Sequence, residues 1–128
     1  MALQWLHAAT YWGSLAAILY TKAEDVHSTA LHVGPDAEVN PAARWLFQRV
    51  GFRAGLALVY LLVVAVCGAT YPTVWAHYSA PVQVGTALAG WAIAAAQHEA
   101  ARFNTQRTHS PLSRLLLRAY LAWGRLAR

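Results

Sequence analysis

The sequence predicts an all-α integral membrane protein, with three transmembrane helices and two short amphipathic helices lying at one membrane face. Three observations lead there. Of the 128 residues, 58% are hydrophobic, and the mean hydropathy is positive, which is high for a water-soluble domain of this size. Residues 1–21 carry no Asp, Glu, Lys or Arg, and neither do residues 54–97. The ten Lys and Arg residues all fall in the remaining segments. The length suits a single membrane domain covering residues 1–128.

Crossing a hydrocarbon core takes about 20 helical residues at about 1.5 Å each. Leu3 to Thr21 is the first candidate span, rich in Trp and Tyr and able to extend to residue 33. It lacks a basic segment before its apolar run and is followed by Lys22, so it reads as a span rather than a cleaved signal. Ala54 to Thr70 is the most apolar candidate. Pro81 to Glu99 is the third, made of small residues around Gly85 and Gly90 that let another helix approach closely. Between the last two, "YPTVWAHYS" offers a proline break and aromatic side chains of the kind that sit at headgroup level.

On this three-span arrangement every basic residue lies on one side. Lys and Arg accumulate on the cytoplasmic face, so the expected location is the plasma membrane, multi-pass, with the N-terminus outside and the C-terminus cytoplasmic. In "NPAARWLFQRVG", Asn40 suits an N-cap and Pro41 a first helical position, giving an interfacial helix over residues 41–50. A second is expected over residues 111–127, where Arg114, Arg118, Arg125 and Arg128 share one helical face and Leu112, Leu116, Tyr120 and Trp123 occupy the other. Such a helix lies in the interface and is drawn to anionic lipid. The same pattern, next to an apolar face, argues against nucleic acid as a partner.

The chemistry-bearing residues gather at the basic side. Asp25, Thr29 and His32 are spaced on one face of the first helix. Glu38 lies in the following turn and Asn40 at the next helix start, while His98, Glu99 and Arg102 end the third span. Asp25, Glu38 and His98 offer carboxylate and imidazole together, a ligand set for zinc, iron or manganese or an acid–base pair. The alternative is that the acids pair with Arg44, Arg53 or Arg102, and that Asp36 or Glu38 receives backbone N–H groups at the following helix start. At the opposite side His7 and His77 are a second pair, with axial haem ligation the chemistry they permit. Cys67, alone in an apolar span, reads as inert packing. No phosphate loop, zinc-protease or hydrolase motif is present.

"DVHSTALHVGPDAEVNPAARWLFQRVG", with Asp25 four residues before Thr29 and then Glu38, Asn40 and Pro41 in E-x-N-P, resembles a family of small prokaryotic polytopic membrane proteins of unknown function. The resemblance implies a compact helical membrane fold and no established reaction. The function expected is therefore that of a structural or accessory subunit, in a homo-oligomer or with other membrane subunits. The alternatives are a membrane-embedded metal-dependent enzyme and a small oligomeric transporter built around the polar inner ends. No cofactor is specified by the sequence.

Overall fold

A computed structural model describes residues 1–33, 41–107, 110, 111 and 114. The described chain is all-helical, a small bundle of four helices: α1 (Ala2–His32), α2 (Pro41–Val50), α3 (Phe52–His77) and α4 (Ala80–Gln106).

α1 runs without interruption for 31 residues, about 46 Å at the α-helical rise. It pairs closely with α4 along most of its length. Cross-helix hydrogen bonds join His7 to Gln83, Thr21 to Gln97 and Ser28 to Asn104, each at a separation of 76 residues. A constant offset means that the two helices are parallel. Three buried positions recur with it, Tyr11, Ser14 and Ile18 on α1 opposite Ala87, Gly90 and Ala94 on α4, and Ser28 and Ala101 are buried further along. Steps of three, four, seven and ten keep one stripe facing one partner, as in a coiled coil. Small side chains on α4 allow the close approach, and polar pairs at His7, Thr21 and Ser28 fix the register.

α3 returns in the opposite direction and closes the bundle at the N-terminal end of α1. Tyr11 is fully buried there, with ring centroids 5.0 Å from Tyr71 and 5.1 Å from Trp75. Its hydroxyl donates to the Tyr71 carbonyl at 2.8 Å, and Ser14 Oγ meets the Tyr71 hydroxyl at 2.9 Å. Gly90 sits directly against these groups; a β-carbon there would overlap the Tyr71 hydroxyl and come within 2.9 Å of Ser14 Oγ.

A single residue, Gly51, separates α2 from α3. Its φ of +87° is a conformation that only glycine adopts without strain. The resulting sharp turn folds α2 back onto α3, so that the Phe47 ring lands on the bare Cα of Gly55.

The structure corrects the three-span expectation. Among the described residues one helix, α3, is long and apolar enough to cross a membrane. The first and third candidate spans fail on composition, and the physical reason is the seam. His7 and Thr21 on one side and Gln83 and Gln97 on the other lower the hydropathy of those windows because they pair α1 with α4, and Ser14 does so because it bonds Tyr71 of α3. The break within "YPTVWAHYS" falls at Tyr78 and Ser79 and not at its proline: α3 continues through Pro72 to His77, well past Thr70. Proline removes one backbone donor from a helix, and here the turn continues, with Thr73 Oγ1 donating to the Ala69 carbonyl at 2.7 Å. The interfacial helix expected at residues 111–127 lies almost wholly outside the described residues, as do Arg118, Arg125 and Arg128.

Candidate functional site

The polar residues that α1 and α4 carry toward their C-terminal ends surround the candidate site. Lys22 and Asp25, one turn apart on α1, form an ion pair of 2.7 Å with side chains only 16% and 18% exposed. Two turns of α4 stand alongside. Asn104 Nδ2 donates to Thr29 Oγ1 at 3.0 Å and to Ser28 Oγ at 3.3 Å, and Ser28 Oγ in turn donates to the Asp25 carbonyl at 2.9 Å. Thr21 Oγ1 donates to Gln97 Oε1 at 2.9 Å one layer further in. No buried side-chain polar atom among the described residues is left without a partner, which is what desolvated groups require.

Two cavities flank this network. One, of about 560 Å³, has Lys22, Asp25, Thr29 and Asn104 on one wall and Leu46, Phe47, Leu56, Val59 and Leu62 on the other. α2 supplies part of its apolar side, so the Gly51 turn and the Phe47–Gly55 contact shape it. The other is an open groove of about 420 Å³ between α1 and α4, lined by Glu24, His27, His32, His98 and Arg102. Within it His98 Nδ1 lies 3.1 Å from Glu24 Oε2, both side chains partly open to solvent. Glu24 also accepts a hydrogen bond from Tyr20, and that bond, together with the carboxylate charge, raises the pKa of the phenol.

The sequence-derived candidates are thus divided. Asp25 and Thr29 line the apolar cavity, whereas His32, His98 and Arg102 line the groove. His32 contributes its backbone carbonyl to Arg107, and Arg102 Nε donates to Gln106 Oε1 at 3.1 Å. Glu99 is also engaged in an interaction. Glu38 and Asn40, like Asp36 and His109, lie outside the described residues. Among the described residues no three His, Cys, Asp or Glu side chains stand close enough to hold a metal ion. Asp25 is held by Lys22, and His98 faces Glu24. At the far end His7 Nε2 is bonded to Gln83 Oε1 at 2.7 Å and its ring stacks on Trp75 at 5.5 Å.

No family model, curated protein or solved structure matches this chain. The likeness of Asp25, Thr29, Glu38, Asn40 and Pro41 to a family motif therefore rests on those residues alone.

Gln97 was not among the sequence-derived site residues, and the sequence placed Lys22 beside Asp25 and Asn104 beside Arg102 without pairing either one. The signal for the two amides was their spacing: Gln83, Gly90, Gln97 and Asn104 repeat every seven residues on α4, and His7, Ser14, Thr21 and Ser28 do the same on α1.

Proposed function

We propose that this protein is a membrane-embedded structural or accessory subunit, anchored through α3 and packed against copies of itself or other membrane subunits. One observation carries the reading. The apolar window of α3 is only 11% buried within the bundle, although a helix hydrophobic on all sides requires a cover. Leu58, Leu61, Leu62 and Val66 lie open along it, and hydrocarbon is the cover that suits them.

Charge supports an orientation. Arg44, Arg49 and Arg53, from α2 and the start of α3, stand at the same end of the bundle as Arg102 of α4 and Arg107, which caps it. The positive-inside bias places that end of α3 at the cytoplasmic leaflet. There Arg114, with Arg118, Arg125 and Arg128, would meet anionic lipid.

The test is extraction. A protein held by α3 stays in the membrane pellet through an alkaline carbonate wash and is released by mild detergent. Chemical cross-linking in intact membranes is then expected to trap dimers or a second membrane subunit. Release by carbonate refutes the anchoring. A single uncross-linked chain in polymer-excised native membrane discs refutes the subunit role.

A further inference from the structure

We infer that the 560 Å³ cavity between α1, α2, α3 and the end of α4 is a binding site for a neutral single-chain lipid with a hydroxyl-bearing head, of the monoacylglycerol class. The inference rests on the reading that α3 faces lipid, and it adds a ligand to the site.

The volume lies within the range of about 300–1,000 Å³ typical of small-molecule sites, which pair an apolar lining with a few convergent polar groups. Here the two kinds of lining are segregated. Leu46, Phe47, Leu56, Val59 and Leu62 form an apolar wall. Leu62 is 64% exposed on the open side of α3, so the cavity is continuous with the surface through which an acyl chain would arrive from the bilayer.

The polar wall selects the head. Lys22 and Asp25 together carry no net charge. An anionic head would gain Lys22 and meet Asp25; a cationic head would face the reverse. Each would have to separate a pair whose two members are more than four-fifths covered, and breaking a covered ion pair is costly. Hydroxyl groups, by contrast, both donate and accept. Among the described residues Lys22 Nζ uses one of its three N–H donors, toward Asp25 Oδ2, which leaves Oδ1 as an acceptor. Among the described residues Asn104 makes both of its side-chain bonds through Nδ2, which leaves Oδ1 to accept. Vicinal hydroxyls match that set of donors and acceptors without disturbing the ion pair.

Native mass spectrometry of the detergent-purified protein, titrated with 1-monooleoylglycerol and separately with oleate, tests this. The expected result is saturable one-to-one binding of monooleoylglycerol, with oleate at least tenfold weaker. Val59→Trp, which fills the apolar wall, should weaken binding at least tenfold. The paired change Lys22→Met with Asp25→Leu removes the head partners without leaving a lone charge, and should weaken monooleoylglycerol about tenfold while erasing its advantage over oleate. Equal binding by the wild type and Val59→Trp, preference for oleate, or no saturable binding overturns the proposal. A protein that needs detergent yet fails this test refutes the ligand alone; one that is soluble without detergent refutes the membrane reading, and the same titration is still made on it.

Discussion

Gly90→Ala adds one methyl group at the tightest point of the bundle. The new β-carbon would overlap the Tyr71 hydroxyl and crowd Ser14 Oγ and Cβ. Tyr71 and Tyr11 are 3% and 0% exposed, so neither ring has free space into which it can turn. Overpacking of a filled core costs about 1–3 kcal/mol. Displacing Tyr71 also breaks its 2.9 Å hydrogen bond to Ser14, worth about 0.5–1.5 kcal/mol. Against this, alanine is better than glycine inside a helix by about 1 kcal/mol. The balance is a loss of roughly 0.5–3.5 kcal/mol, centred near 2. Gly85 provides the internal control. It lies on the same helix with nothing within 4 Å of its would-be β-carbon, so Gly85→Ala keeps only the helical gain of up to about 1 kcal/mol. Thermal unfolding in one detergent, followed by circular dichroism, compares the two variants with the parent. Gly90→Ala should melt lower and Gly85→Ala at or above the parent temperature. Equal behaviour of the two variants would refute the close α1–α3–α4 approach at Gly90.

Three other outcomes are expected. Gly55→Ala should dislodge Phe47, whose ring occupies the space of the new β-carbon, and so expose α2 to proteolysis while α1 and α4 remain paired; unchanged cleavage refutes the docking. A double-mutant cycle with Thr21→Val and Gln97→Leu should return a coupling of about 0.5–1.5 kcal/mol for their hydrogen bond, and a coupling of zero refutes its role in register. Glu24→Gln should lower the pKa of Tyr20. The neutral phenol donates to the carboxylate, and ionisation would place two negative charges side by side, so removing the carboxylate charge eases ionisation. The phenolate absorbance difference between Glu24→Gln and its Tyr20→Phe derivative reads this, and an unchanged or higher pKa contradicts it.

The helical character of the chain was legible because the apolar runs are long and free of strand punctuation. The start of α2 at Pro41 and the length of α1 could likewise be read from local residues. The number of membrane-crossing helices could not. His7, Thr21 and Ser28 look like moderate dilution of an apolar segment until their partners 76 residues away are known, as does Ser14 until its bond to Tyr71 is known. Pro72 misled for a related reason. Its effect on a helix depends on how the surrounding backbone groups are bonded, and the Tyr11 hydroxyl on the Tyr71 carbonyl is a tertiary contact. At the site, Asp25 and Thr29 were identifiable from spacing, but Lys22 as the partner of Asp25, and Asn104 as the bridge to Thr29, depended on how α1 and α4 are aligned.

The parallel pairing of α1 and α4 also has a consequence in time. The seam contacts join residues 74 to 76 positions apart, and synthesis proceeds at about 5–20 residues per second. α1 therefore waits about 4–15 s before its partner leaves the ribosome. Throughout that interval His7, Ser14, Thr21 and Ser28 lie along an apolar helix without the amide and small-residue face that will cover them. The nascent chain is thus most vulnerable to mispairing between the first helix and the last, and a factor that shields a polar-striped helix for several seconds would raise the yield of folded protein more than one acting after release.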